Sequence, residues 1–209
     1  MNKFLQKCLN HANGKTRGIL FLGSHRMQER EQFQKNRITN IIWVDAIESV
    51  VNQNRKEITE YEHALCYAIS DKDGEEVDFY VSSNDGLSSS LLPFPKVMLH
   101  NAHLTTTEIS KVKTITIDSL MQSIYMPHRN YNFLCMDIHG VEIKAIEGAA
   151  EYIKSCNYVY TEINFVEAYK GCVLYDEFND YMIKKGFKQI FYYQGKKEYG
   201  YLFYEKGKK

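Results

Sequence analysis

The sequence predicts an α/β fold in which a largely parallel β-sheet is built from strands that alternate with helices. Short apolar runs that are typical of buried strands are followed by more polar, helix-compatible stretches, which is the pattern of repeated βαβ units. The last two strand-like segments flank Gly195 with no helix between them, which indicates a final antiparallel pair. A length of 209 residues fits one domain, so residues 1–209 are assigned to a single domain.

Strands are predicted where apolar residues run together or alternate with polar ones. In chain order the predicted strands are 18–23, 40–46, 63–70, 76–82, 112–117, 132–138, 158–163, 187–193 and 199–204. The predicted helices are 27–36, 48–57, 141–154 and 175–185, and the last of them ends at Gly186, a residue type that often follows helices. A further helix is predicted after strand 112–117, with Asp118 as its N-cap. Asp73-Gly74 is typical of a turn, so we predict a hairpin between the strands on either side of it.

Residues 83–105 form a long stretch without a strand or helix pattern. The stretch contains a triple serine and two prolines. Long loops without regular structure are usually either functional or disordered. We interpret this loop as a lid or as a wall of a substrate site.

Charge, hydropathy and cysteine content limit the classes of function. The 26 basic and 26 acidic residues give a formal net charge of zero, so nothing favours nucleic-acid binding, which depends on excess Lys and Arg. No apolar run approaches the roughly 20 residues needed to span a bilayer, and the N-terminal residues lack the apolar stretch of a signal peptide. The five cysteines have no CxxC spacing, which predicts reduced thiols. We therefore expect a cytoplasmic protein without membrane insertion.

Three common classes of enzyme are disfavoured because their motifs are missing. The sequence has no Gly-x-Ser-x-Gly motif, which argues against a serine hydrolase of the α/β type. It has no complete Gly-x-x-x-x-Gly-Lys-Ser/Thr phosphate-binding loop, because Leu9 stands where the first glycine would precede Gly14-Lys15-Thr16, and it has no Gly-x-Gly-x-x-Gly motif. An NTPase and a nucleotide-dependent dehydrogenase are therefore unfavoured interpretations.

The most informative segment follows the predicted strand at 132–138. Its apolar run ends at an acid, Asp137, and His139 and Glu142 come next, at the start of a helical stretch. In open α/β sheets, ligands bind outside the carboxyl ends of the strands. We therefore expect Asp137 and His139 at the edge of a binding site.

A second pattern lies at the ends of the first two predicted strands. The first strand ends at Gly23, and Ser24 and His25 follow before a helix. A glycine there allows a ligand to approach the backbone, and a helix N-terminus offers free N–H groups. Asp45 ends the second strand, 22 residues after Gly23, and an acid at this spacing commonly binds ribose hydroxyls. The pair predicts a nucleoside-binding site, with plain turns as the open alternative.

Several segments together resemble one known family. Asp137-Ile138-His139-Gly140-Val141-Glu142 is similar to the Asp-x-Glu-Gly-x-Glu signature of FkbM-type methyltransferases, with His139 in place of the first Glu. Other segments resemble the family in the same order along the chain: Ile42-Trp43-Val44-Asp45-Ala46, Ala68-Ile69-Ser70-Asp71, Ser88-Ser89-Ser90-Leu91-Leu92, Ile115-Thr116-Ile117-Asp118-Ser119-Leu120 and Thr161-Glu162-Ile163-Asn164. The resemblance covers most of the chain, from about Arg17 to Phe187.

The resemblance implies a Rossmann-like class I methyltransferase fold. Its sheet would be mostly parallel and seven-stranded, with an antiparallel last strand and helices on both faces. The implied cofactor is S-adenosylmethionine, and the implied reaction is O-methyl transfer to a sugar hydroxyl of a glycan or glycoconjugate precursor. The residues expected to hold the cofactor are Gly23, Ser24, His25, Asp45, Ala46, Ser70, Asp71 and Asp137. The oligomeric state stays open.

Methyl transfer would require an aligned acceptor oxygen and a base or metal ion that removes its proton. Asp137, His139 and Glu162 are the predicted catalytic residues, and His139 suits a base because the ordinary pKa of histidine is near neutral. Glu162 and Asn164 also offer oxygen atoms. Together with Asp137 they could form an oxygen-rich site for Mg²⁺.

Simpler interpretations stay open at this stage. Asp137 could only cap the following helix, His139 could be an exposed turn residue, and Glu142 could begin its helix or brace the loop. The first loop, Gly23-Ser24-His25-Arg26-Met27, also lacks the acid and the last glycine of the family pattern Asp-x-Gly-Ala-x-x-Gly. The alternative hypothesis is therefore a non-catalytic Rossmann-like module of a larger glycan-modifying protein.

Overall fold

The computed structural model describes residues 2–94 and 104–207. The strands in this part of the chain are β1 Ile19–Leu22, β2 Ile41–Asp45, β3 Glu62–Cys66, β4 Ala68–Ile69, β5 Glu76–Ser82, β6 Thr106–Ile115, β7 Phe133–Met136, β8 Tyr158–Asn164, β9 Phe187–Gln194 and β10 Tyr199–Lys206. The α-helices are α1 Lys3–Ala12, α2 Arg30–Lys35, α3 Glu48–Asn54, α4 Ile117–Ser123, α5 Glu142–Glu147, α6 Tyr152–Ser155 and α7 Tyr175–Lys184.

The main sheet has seven strands in the order β3-β2-β1-β7-β8-β10-β9. The first five strands in this order are parallel to one another. The last strand of the chain, β10, lies antiparallel between β8 and β9. This arrangement confirms the predicted mostly parallel sheet with an antiparallel last strand.

Helices cover both faces of the main sheet, and each face has its own hydrophobic core. Along β1, Ile19 and Phe21 belong to the core that contains α1 and α2, whereas Leu20 and Leu22 belong to the core that contains α4 to α7. Successive side chains of a strand point to opposite faces, so a strand covered on both sides must be apolar throughout. This explains the continuous apolar runs in the sequence.

The predicted hairpin across Asp73-Gly74 is wrong. Strands β4, β5 and β6 form a separate sheet in the order β4-β6-β5, in which β5 pairs with β6 in an antiparallel register. The predicted strand 63–70 is divided at Tyr67 between the two sheets. β6 is ten residues long and offers far more pairing than the two residues of β4, so β5 joins the distant strand.

The helix predicted to start at Asp118 is present as α4, but its N-cap is Thr116, whose hydroxyl accepts the N–H of Ser119 at 3.1 Å.

Two other helical regions also differ from the prediction. α1 was not predicted, and Asn2 caps its start by accepting the N–H groups of Phe4 and Leu5. The predicted helix 141–154 is divided into α5 and α6. The carboxylate of Asp118 accepts the N–H groups of Glu151 and Tyr152 at 2.8 Å each, and this starts α6 as a new helix.

Part of the predicted lid, residues 95–103, lies outside the described residues. The neighbouring parts, 83–94 and 104–105, connect β5 to β6 and are described. Across residues 2–94 and 104–207, none of the helices has both the length and the apolar character required to cross a bilayer.

Candidate active site

Two neighbouring strands bring three ionisable side chains together at the carboxyl edge of the main sheet. β7 ends at Met136, so Asp137 follows it directly, and His139 lies in the loop before α5. Glu162 lies on β8, which pairs with β7. The possible ligand atoms of Asp137, His139 and Glu162 all lie within 4.8 Å of one another. We call these three residues the Asp–His–Glu cluster.

Both ring nitrogens of His139 have defined neighbours. Nδ1 lies 3.3 Å from Asp137 Oδ1 and 3.7 Å from Glu162 Oε1. Nε2 lies 2.9 Å from the carbonyl oxygen of Leu87. Because a carbonyl oxygen can only accept, Nε2 carries a proton and donates it to this bond. The ring of Tyr169 stacks on the imidazole with centroids 5.4 Å apart and an angle of 9° between the planes.

The backbone at His139 adopts an unusual conformation. Its φ is +54°, and the φ of the following Gly140 is +108°. A residue other than glycine in the left-handed region costs roughly 1–3 kcal/mol, and such residues cluster at functional sites. A Cβ at Gly140 would overlap the Cβ of Cys172, so only glycine fits there. Ser90 Oγ fixes the turn by donating to the His139 carbonyl at 2.9 Å.

Burial and mutual charge shift the pKa values of the cluster. Burial raises the pKa of Asp137. Burial and the charge of Asp137 raise the pKa of Glu162, against the opposing effects of His139 and a hydrogen bond from Tyr201. Burial alone would lower the pKa of His139, but the charges of Asp137 and Glu162 outweigh it and raise the pKa. The cluster therefore favours a positive charge at the imidazole.

Glu142 supports the loop and does not take part in the cluster. Its Oε1 accepts the backbone N–H of Gly140 at 2.9 Å, which confirms the bracing interpretation. The side chain is buried, and Oε2 has no hydrogen-bond partner among the described residues. Burial raises the pKa of Glu142 to about 7.

A cavity of about 700 Å³ opens at the cluster, and we call it the large cavity. It is lined by the cluster and by Asn164, which the sequence had predicted as a metal ligand. Aromatic rings and charged groups complete the lining, among them Phe94, Tyr169, Tyr199, Glu167, Lys196 and Lys197. The lining of the large cavity therefore combines aromatic side chains with polar and charged groups.

A much smaller crevice of about 60 Å³ lies beside the large cavity, at the ends of β1 and β2. Five of the predicted cofactor residues line it: Gly23, His25, Asp45, Ala46 and Asp137. The carboxylate of Asp45 accepts the N–H of His25 at 2.8 Å through Oδ2 and the N–H of Ile47 at 2.9 Å through Oδ1. Burial raises the pKa of Asp45 in spite of these hydrogen bonds.

The other three predicted cofactor residues, Ser24, Ser70 and Asp71, are not among the residues that line the crevice. Ser70 Oγ instead donates to the Asp71 carboxylate at 2.9 Å. Gly23 has a structural role that the sequence did not indicate. Its φ is +72°, and a Cβ there would overlap the carbonyl of Asp137. The glycine thus lets the ends of β1 and β7 pack closely.

Residues 82–92, here called the strap, separate the crevice from the large cavity. Leu87 lines both spaces. On the crevice side, Nε2 of His25 lies 2.8 Å from the carbonyl oxygen of Asp85. On the cavity side, the hydroxyl of Tyr169 donates to the carbonyl of Ser88 at 3.2 Å. This described part of the predicted lid therefore forms a wall between the two spaces.

Two of these contact residues, Leu87 and Tyr169, were not singled out in the sequence. Leu87 binds His139 through its backbone carbonyl, and a side-chain pattern carries no information about that bond. Tyr169 is one of 16 tyrosines and has no distinctive spacing. The only available signal was the position of Leu87 within the predicted lid.

Comparison with protein families agrees with this geometry. The model of the methyltransferase FkbM domain matches residues 25–202, which is most of the chain. The chain belongs to the FkbM methyltransferase family. No curated protein matches it.

The fold of this FkbM domain is also found in solved structures, among them methyltransferases. M. capricolum TrmK in complex with S-adenosyl-homocysteine gives a TM-score of 0.55 at 8% identity and covers 100% of this chain and 70% of that chain. Magnesium protoporphyrin IX methyltransferase from Synechocystis PCC 6803 with bound SAM gives 0.52 at 9% identity, with coverage of 98% and 77%. An uncharacterized protein from Listeria monocytogenes serotype 4b gives 0.58 at 8% identity, with coverage of 100% and 69%. At these identities the similarity establishes the class I methyltransferase fold.

Proposed function

We propose that the protein is an S-adenosylmethionine-dependent O-methyltransferase that acts on a sugar hydroxyl of a glycan or glycoconjugate precursor. The observation that carries this proposal is that Asp137 and His139 line both the crevice and the large cavity. A cofactor in the crevice and an acceptor in the large cavity would therefore meet at the Asp–His–Glu cluster. Membership of the FkbM methyltransferase family supports methyl transfer as the reaction.

The groups that line the crevice fit the nucleoside part of S-adenosylmethionine. When bound, this cofactor supplies an electrophilic methyl group on a positively charged sulfur. Asp45 is held rigidly by two backbone N–H groups, and its remaining lone pairs can accept ribose hydroxyls. Ala46 and Ile69 offer apolar surface to the adenine. The carboxylate of Asp137 suits the positive end of the cofactor.

The crevice has too small a volume to hold the cofactor, so part of the surrounding protein must move before the cofactor can enter. Ligand pockets usually have volumes of about 300–1,000 Å³, which is well above the 60 Å³ found here. Leu87 and the rest of the strap occupy the boundary between the crevice and the large cavity. We infer that the strap moves outward when the cofactor binds. Such movements are common in enzymes that must exclude water from the reaction.

In this proposal the cluster assists the acceptor hydroxyl. This hydroxyl loses its proton as its oxygen takes the methyl group, and a positioned acid–base group accelerates such a step by roughly 10²–10⁴-fold. Asp137, His139 and Glu162 are the ionisable groups that line the large cavity where it approaches the crevice. The stacked ring of Tyr169 keeps the imidazole in place.

The lining of the large cavity supports a sugar as the acceptor. The ring of Phe94, whose centroid lies 5.3 Å from that of the buried Tyr169, provides an apolar surface for the C–H face of a sugar ring. Asn84, Glu167 and Lys197 in the same lining can bind its hydroxyl groups. A volume of about 700 Å³ has room for more than one sugar unit.

The proposal is tested by incubating the protein with labelled S-adenosylmethionine and a panel of sugars, nucleotide sugars and lipid-linked sugars. We expect methyl transfer to a hydroxyl of one sugar class, identified by mass spectrometry. The Asp137→Ala and Glu162→Gln variants should lose at least about 100-fold in kcat. Glu162 does not line the crevice, so its variant should still bind the product S-adenosylhomocysteine like the wild type. Normal turnover in both variants would contradict the catalytic assignment.

A further inference from the structure

We propose that Asp137, His139 and Glu162 form a binding site for one divalent first-row transition-metal ion, such as Mn²⁺, Fe²⁺ or Zn²⁺. The site differs from the magnesium site predicted from the sequence, because an imidazole takes the place of Asn164. The inference deepens the proposed function and rests on it only for the role of the ion. Binding of the ion is a property of the three side chains alone.

The spacing of the three side chains matches that of metal ligands. Ligand atoms that lie about 2.0–2.2 Å from one ion are separated from each other by roughly 3–3.5 Å. His139 Nδ1 already lies 3.3 Å from Asp137 Oδ1 and 3.7 Å from Glu162 Oε1. All three ligand atoms lie within 4.8 Å of one another. Small rotations of the two carboxylates would bring them around an ion.

The hydrogen bonds of His139 leave the correct nitrogen free. Nε2 donates to the Leu87 carbonyl, and metal-binding histidines almost always donate their second ring N–H to such an acceptor. The His139 side chain is only 10% exposed, and its Nδ1 faces two carboxylates. Asp137 Oδ1 is buried and has no hydrogen-bond partner among the described residues. A positive charge between these atoms would satisfy all three of them.

The ligand types select the class of ion. Carboxylate and water ligands suit Mg²⁺ and Mn²⁺, whereas imidazole suits Fe²⁺ and Zn²⁺, and Mg²⁺ is the ion least suited to a nitrogen ligand. A site with one imidazole and two carboxylates therefore favours Mn²⁺, Fe²⁺ or Zn²⁺ over Mg²⁺. With only three protein ligands, the ion would keep open coordination positions, and these would face the large cavity, because all three residues line it. When bound there, the ion would lower the pKa of an acceptor hydroxyl that coordinates to it.

A proton is the competing occupant, because an imidazolium at His139 would also neutralise the two carboxylates. The two cases differ in what the protein binds when no cofactor or acceptor is present. A protein that uses only a proton has no affinity for Mn²⁺ at this position. Calorimetric titration of the chelator-treated full chain with Mn²⁺, Zn²⁺ and Mg²⁺ distinguishes a metal ion from a proton as the occupant of the cluster.

We expect one equivalent of Mn²⁺ or Zn²⁺ to bind with micromolar affinity, and Mg²⁺ to bind at least tenfold more weakly. Electron spin-echo spectroscopy of the Mn²⁺ complex should detect coupling to one imidazole nitrogen. His139→Gln should remove that coupling, and Glu162→Gln should weaken Mn²⁺ binding at least tenfold. Glu167→Gln is the matched control, because Glu167 lines the same cavity outside the cluster and its loss should leave Mn²⁺ affinity unchanged.

The proposal would be overturned by any of three results: no binding of Mn²⁺ and Zn²⁺ at millimolar concentration, Mg²⁺ affinity equal to that of Mn²⁺ without a nitrogen coupling, or equal losses in Glu162→Gln and Glu167→Gln. Circular dichroism of each variant verifies that it is folded. Binding of S-adenosylhomocysteine to the metal-free protein is measured separately. Failure of the metal site therefore leaves the cofactor result intact, and the reverse also holds.

Discussion

The N–H at Nε2 of His139 donates to the carbonyl of Leu87 at 2.9 Å, and this bond joins the Asp–His–Glu cluster to the strap. Leu87 lines both the crevice and the large cavity, so the same residue orients the imidazole and divides the two spaces. A movement of the strap that admits a cofactor must therefore change the hydrogen bond that orients His139. If the cofactor enters as proposed, its entry will therefore be coupled to the geometry of the cluster.

Loosening the strap should speed cofactor entry. Tyr169→Phe removes the hydroxyl that donates to Ser88 but keeps the ring that stacks on His139. One hydrogen bond contributes about 1 kcal/mol, so we expect the association rate of S-adenosylhomocysteine to rise about fivefold in stopped-flow measurements. Tyr192→Phe is the control, because the hydroxyl of Tyr192 bonds to Gln194 on the sheet edge. Equal rates in wild type and Tyr169→Phe would argue against the strap as the barrier.

Binding of the cofactor should depend on Asp45 and not on Asp71. Asp45 lines the crevice, whereas Asp71 was predicted to bind the cofactor but is bonded to Ser70 outside it. Replacing Asp45 by Asn removes the charge and one acceptor oxygen, and we expect at least tenfold weaker binding of S-adenosylhomocysteine, equal to about 1.4 kcal/mol. Asp71→Asn should bind like the wild type by calorimetry. Similar losses of affinity in both variants would instead indicate that Asp71 also binds the cofactor, as the sequence predicts.

Gly140 should be far more sensitive to substitution than Gly171. Both residues have positive φ, but a Cβ at Gly140 would overlap Cys172, whereas a Cβ at Gly171 would meet nothing within 4 Å. Gly171→Ala should lose about 1–2 kcal/mol in free energy of unfolding from backbone strain. Gly140→Ala should lose at least about 2 kcal/mol more because of the overlap. Urea denaturation measures both, and equal losses would contradict the close packing at His139 and Gly140.

Glu142 should make stability depend on pH. Burial raises the pKa of Glu142 to about 7 in the folded protein, whereas the pKa in the unfolded chain is near the ordinary value of 4.5. The folded state therefore holds the extra proton between these values, and stability is lost as the pH rises from about 4.5 to 7. Glu142→Gln has no such group. The difference in free energy of unfolding between Glu142→Gln and wild type should therefore increase by on the order of 3 kcal/mol, in favour of the variant, as the pH rises from 4.5 to 8.

The comparison uses urea unfolding curves at several pH values with a chelator present, so that no cation binds to the nearby cluster. Titrating groups that do not interact with Glu142 behave alike in both proteins and cancel in the difference. Curves of stability against pH that run parallel for wild type and Glu142→Gln would contradict a strongly raised pKa at Glu142.

The main sheet and the centre of the candidate site could be predicted because they follow from local patterns. Asp137 and Glu162 come at the ends of adjacent apolar strands, and the carboxyl ends of parallel strands meet at one edge of the sheet. His139 follows Asp137 by two residues and is carried to the same edge. The first two strand ends placed Gly23 and Asp45 in the crevice for the same reason.

The remaining features depend on contacts that are distant in the sequence. Strand β5 pairs with β6, more than twenty residues away, and no local pattern specifies that partner. Ser70 does not line the crevice, and its hydroxyl donates to Asp71 instead. The bond from His139 to Leu87 spans 52 residues and uses a backbone carbonyl, so side-chain identity does not reveal it.

The most direct test of the proposed function is calorimetric titration with S-adenosylhomocysteine and S-adenosylmethionine, with and without a divalent ion. If the proposed function is correct, each ligand should bind at one site per chain with micromolar affinity, and binding should be at least tenfold weaker in Asp45→Asn. Absence of binding under every condition, in a protein that is folded by circular dichroism, would contradict it. That result would favour a non-catalytic Rossmann-like module of a larger glycan-modifying protein.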